Sequence, residues 1–224
     1  MSSSQPFRPG RPRAYVSAPG SPREGMDRAR AWVAARAGAL EWVSIGILLP
    51  DPAALNQSRY LRLARTRGAT VGFTEDLGEL CRWKGALIVD RPTLAGLVAA
   101  EASTAAAIVV VAQDHPVLQG WVDAFDPEHL GGPALAPAEV VLPVPEVRRV
   151  MVYFTHRLQS GACASPRMWQ LLQHRLEHLH HHEGHFSAES LLALAWQLHW
   201  PPGATHRLHR WAADHLPPVT PPAC

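Results

Sequence analysis

Ile108-Val109-Val110-Val111 is an uninterrupted run of β-branched residues, and it constrains this chain more than any other stretch. A strand with one solvated face alternates apolar and polar residues, whereas one covered on both faces does not. The run therefore predicts an interior strand of a parallel sheet. It ends in Gln113-Asp114-His115-Pro116, where a polar cluster meets a helix-starting proline.

The surrounding pattern repeats this arrangement. Short strands are predicted at 13–17, 42–49, 69–74 and 85–89, with helices at 24–36, 51–67, 93–103 and 116–125. Asp51-Pro52 reads as an N-cap followed by proline at the first helical position, and Gly68 as the stop of that helix. Alternation of this kind predicts an α/β unit: a mostly parallel, Rossmann-like sheet with helices on both faces and right-handed crossovers. From Asp126 to Pro145 proline and glycine accumulate, with 139–142 as a further edge strand, and a boundary is expected near Pro145. Beyond it the period becomes helical at 147–159, 165–183, 187–200 and 205–216. Leu171, Leu172, Leu176, Leu191, Leu208 and Trp211 are among the residues available for a small core. The expected organisation is a disordered basic arm at 1–11, an α/β domain at 12–145, a small all-helical bundle at 146–216 and a Pro-rich tail at 217–224.

Composition narrows the function classes. The formal charge is +2 with thirteen histidines taken as neutral, so no large basic field exists at neutral pH. All basic residues except Lys84 are arginine, in a chain rich in alanine and proline, a bias expected first from a GC-rich genome and only second from a nucleic-acid binder. Cys81, Cys163 and Cys224 are odd in number, far apart and without metal-ligand spacing, which fits a reducing cytoplasm. No apolar run approaches the length of a membrane span, and the first residues carry no signal-peptide core, so a cytoplasmic protein without a membrane partner is expected.

Chemistry has few places to sit. Predicted strands end in Asp51, Glu75-Asp76, Asp90 and Asp114, and in an open α/β sheet ligands bind at the carboxyl ends of strands. Asp51, Asp76, Asp90 and Asp114 converging there would offer a divalent cation the oxygen ligands it prefers. The competing role for Asp51, Asp90 and Asp114 is capping of the helices that follow. Asp114 with His115 is the candidate catalytic pair, because an imidazole can be tuned towards neutrality for acid-base work. No glycine-rich phosphate loop follows any strand, which disfavours NAD or ATP held in that way. His174, His178, His181 and His185 recur at helical spacing and are candidate ligands for Zn²⁺, Ni²⁺ or Cu²⁺, although no His-Glu-x-x-His pattern accompanies them. Arg59, Arg62, Arg65 and Arg67 form a stripe that reads as a solvated helix face or a phosphate-contacting one.

Arg91-Pro92-Thr93-Leu94-Ala95-Gly96-Leu97, with Ile108–Val111 and Asp114 beyond it, resembles the middle of the serine recombinase catalytic domain. The likeness is confined to this segment. Tyr15-Val16-Ser17 lacks the arginine of that family's first strand, and His115 stands where its Asp-Arg pair has arginine, so Ser17 is not assigned as a nucleophile. The leading expectation is a non-enzymatic α/β binding or regulatory module that engages a protein partner or small ligand at the sheet's carboxyl edge. The alternatives are a divalent-metal-dependent hydrolase or phosphotransferase using the strand-end acids, and a nucleic-acid accessory protein using Arg59, Arg62 and the N-terminal arm.

Overall fold

The computed structural model describes residues 10–17, 19–37, 44–112, 116–132, 144–159, 165–182 and 186–216. These divide into two compact units, one formed by the described residues up to 132 and the other by those from 144 onward. The predicted strand at 139–142 lies outside the described residues.

The first unit is a six-stranded sheet in the order β3-β2-β4-β5-β1-β6, and every described pairing is parallel. The strands are β1 (Arg13–Ser17), β2 (Ile45–Leu49), β3 (Thr70–Phe73), β4 (Ala86–Asp90), β5 (Ala107–Ala112) and β6 (Glu128–His129). As the β-branched run requires, β5 is interior and buried throughout, paired to β4 on one side and β1 on the other. The helices are α1 (Pro22–Ala37), α2 (Pro52–Gln57), α3 (Arg59–Thr66), α4 (Leu94–Ala102) and α5 (Pro116–Phe125). Ala14 and Val16, Ile47 and Leu49, Ala86 and Ile88, and Val109 and Val111 form one core with α1, α2 and α3. The period of two along each strand sends Leu48, Leu87, Val89 and Val110 to the other face.

The helix expected at 51–67 is two helices. Ser58 interrupts it in an extended conformation (φ −112°, ψ 109°), and its hydroxyl accepts from the Leu61 N–H as the N-cap of α3. Gly68 closes α3 at φ +89°, a conformation that favours glycine. A 3-10 turn at Gly78–Arg82 connects β3 to β4. It lies against the sheet because Gly46 has no side chain: a Cβ there would stand 2.7 Å from a Leu80 methyl.

The second unit contains α6 (Pro145–Gln159), α7 (Pro166–His182), α8 (Ala188–Gln197) and α9 (Pro202–His215). Residues Leu191 to Trp196 of α8 are buried without interruption, so this is the helix the others enclose. The Trp200 indole donates to the buried Thr155 hydroxyl at 2.7 Å, tying the end of the α8 segment to α6. Ser165 and Ser187 cap α7 and α8, as their positions before Pro166 and Ala188 imply. Leu171, expected in this core, is instead 42% exposed, because the buried stripe of α7 runs through Trp169, Leu172, Leu176 and Leu179. No helix among the described residues is long and apolar enough to cross a membrane.

Candidate functional site

With β1 placed after β5, the strands β3-β2-β4-β5-β1 follow the 2-1-3-4-5 order of doubly wound sheets, and β2 and β4 flank the point where the order reverses. The connection from β2 runs through α2 and α3 on one face, while α4 follows β4. Asp51 and Asp90 mark the carboxyl ends of these two strands.

The strand-end acids have different surroundings. Asp51 accepts from the Ala54 N–H at 2.9 Å and caps α2. Asp76 accepts from the Gly78 N–H at 3.0 Å at the start of the 3-10 turn. Asp90 is only 2% exposed and does not cap α4, whose N-cap is Thr93, accepting from the Gly96 N–H. Its ion-pair partner is Arg91, with Nε 3.4 Å from the carboxylate. Burial pushes the Asp90 carboxyl above its ordinary range, and the adjacent Arg91 charge opposes that shift without cancelling it. Arg91 has φ +51°, and its guanidinium also donates to the Ala54 carbonyl at 2.8 Å and the Gln57 side chain at 3.3 Å, joining the end of β4 to α2. Asp114 and His115 lie outside the described residues.

Among the described residues, no three or more His, Cys, Asp or Glu side chains are grouped closely enough to hold a metal ion. On α7, His174 and His178 are exposed, and the His178 and His182 rings lie 4.4 Å apart, centroid to centroid. His180 faces inward, with its ring edge against Phe186.

Two polar constellations join residues that no local pattern connects. Ser17, fully buried at the end of β1, lies with its hydroxyl 3.1 Å from His129 Nε2, and the His129 ring stacks on Tyr15 at 4.7 Å. A serine beside an imidazole is the start of a nucleophile, but Ser17 is fully buried. Its geometry suits a latch holding β6 to β1. On the opposite face from α1, Arg13 donates from Nε and Nη2 to Glu101 at 2.9 and 3.0 Å, and the Trp121 indole donates to the same carboxylate at 2.9 Å. Arg13 also stacks over Phe125, and Arg11 donates to the carbonyls of Ala100 and Glu101. The available sequence signal was Glu101 itself, the one charged residue in the otherwise apolar helix LAGLVAAEA.

A groove of about 500 Å³ lies between α1 and α3 over the sheet. Its floor is Met26, Ile45, Ile47 and Ile88, and Arg23, Arg30, Tyr60 and Arg67 stand around it. Arg30 donates to the Tyr60 hydroxyl at 3.0 Å, and that hydroxyl donates to Asp27 at 3.2 Å. In the helical unit a second groove, of about 470 Å³, runs between α7 and α9, with Trp169, Gln173, Arg207, Arg210 and Asp214 in its walls.

Comparison with protein-family models, curated proteins and solved structures finds no match to this chain. The likeness of 91–114 to serine recombinases is thus supported by no family model.

Proposed function

We propose that the α/β unit is a cytoplasmic, non-enzymatic binding or regulatory module that takes a small ligand or a partner's side chain at the carboxyl edge, between the ends of β2 and β4. The observation that carries this reading is Asp90: a carboxylate buried at the reversal point of the sheet, whose ion-pair partner among the described residues is the neighbouring Arg91. Groups of raised pKa at such a position are where binding sites concentrate. Arg91, already bonded to α2, offers the means of coupling occupancy to the neighbouring helix.

The test is a thermal-shift screen of small polar ligands beside calorimetric titration with Mg²⁺, Mn²⁺ and Zn²⁺, on the natural protein and on Asp90→Asn. A ligand that stabilises the natural protein and not the variant, with no metal bound, supports the module. Metal binding lost in Asp90→Asn replaces it with the metal-dependent hydrolase or phosphotransferase that uses Asp51, Asp76, Asp90 and Asp114. A ligand indifferent to Asp90→Asn removes the site from the carboxyl edge.

A further inference from the structure

We propose that the groove between α1 and α3 binds a small amphipathic anion, a carboxylate or sulfonate whose apolar body rests on the sheet and whose charge lies among the arginines. Its volume of about 500 Å³ falls within the range of small-molecule sites. The floor of Met26, Ile45, Ile47 and Ile88 offers an apolar carrier surface with no titratable group in it. The arginines around it are of one sign. Among the described residues Arg67 is in no ion pair, while Arg23 pairs with Asp27 and Arg30 bonds Tyr60.

The charge on the α3 side is not neutralised by its own sequence. Between Asp51 and Glu75 there is no acidic residue, and Arg59, Arg62, Arg65 and Arg67 all fall in that interval. A concave, low-dielectric surface flanked by an excess of cations concentrates anions. Leu63, 46% exposed beside the groove, extends the apolar surface towards the opening, as an amphipathic ligand requires and a purely polar one does not. An extended polyanion would instead engage Arg59 and Arg62, which do not line the groove.

The experiment uses the full chain with 8-anilinonaphthalene-1-sulfonate as a fluorescent probe and decanoate, decanol and decyltrimethylammonium as competitors. One probe should bind per chain and be displaced by decanoate far better than by decanol or the cation. Arg30→Gln/Arg67→Gln should weaken decanoate by about tenfold or more, and Ala64→Phe, which fills the groove, should abolish its binding. Arg59→Gln/Arg62→Gln should change it by less than about twofold. Arg30 and Arg67 are exposed, so their variant retains the fold and keeps the test decisive even where Ala64→Phe unfolds the unit. Equal displacement by the cation, unchanged decanoate affinity in Arg30→Gln/Arg67→Gln, or loss confined to Arg59→Gln/Arg62→Gln overturns the proposal, the last pointing to an extended polyanion on the outer face of α3.

Discussion

Glu101 and Asp90 are both buried carboxylates of the α/β unit, and both have an arginine beside them, yet they are built differently. Glu101 receives two guanidinium N–H bonds from Arg13 and one from the Trp121 indole. Asp90 meets the guanidinium of its own chain neighbour at 3.4 Å, and that guanidinium is shared with α2. Desolvating a carboxylate is offset only when the surrounding donors satisfy it, so Glu101 has the surroundings of a structural clasp. At Asp90 the single arginine offsets the desolvation only in part, and the proposed site rests on that difference.

The largest effect should come from breaking the clasp. Glu101→Ala leaves Arg13 buried without its carboxylate and is expected to destabilise the protein by about 3–5 kcal/mol in chemical denaturation. A loss under about 1 kcal/mol would mean that Arg13 escapes to solvent and that the two acids are not so different after all. Thr93→Ala should cost about 1 kcal/mol, because Thr93 and not Asp90 holds the first turn of α4.

Asp90→Asn sharpens the comparison through pH. Burial raises the folded-state pKa above the ordinary value of 3.8, so the folded protein holds that proton more tightly than the unfolded chain. The resulting stabilisation is present below the unfolded pKa and is lost as pH rises through the folded one. Relative to the natural protein, Asp90→Asn should therefore gain stability as pH rises through that window, and at pH 7 it should lie within about 1 kcal/mol of it or above it. A variant whose stability falls in parallel with the natural protein across the window would show Asp90 to be as well compensated as Glu101.

The smallest effect lies in the helical unit and has the opposite sign. Burial lowers His206 and His209 below 6.5, helped by Arg210 at the former and by His206 at the latter, while Glu189 opposes the shift at His209. Their protonation favours unfolding, so stability should decline as pH falls below 6.5, and His209→Gln should flatten that decline in thermal melts between pH 5 and 7.

Much of this architecture was legible residue by residue. The β-branched run at 108–111 marked an interior strand, Asp51-Pro52 marked a helix start, and Ser165 and Ser187 were readable as caps, because each signal is contained within a few neighbouring residues. The break at Ser58 was hidden because no proline or glycine interrupts the segment between Pro52 and Gly68, although serine is a strong N-cap. Asp90 was singled out correctly as a strand-end acid, but its apparent capping role belonged to Thr93 three residues on.

The local sequence thus determined most of the strands and helices and where most helices begin, since period and capping act over one or two turns of chain, while the two-residue β6 and the division of 51–67 into α2 and α3 escaped it. Tertiary structure decided the order β3-β2-β4-β5-β1-β6, the pairing of Arg13 with Glu101 across 88 residues, and the meeting of Ser17 with His129 across 112. A strand's period specifies which face a side chain takes, but not which strand will lie beside it. Partners so far apart are selected only when crossovers, register and burial are satisfied together.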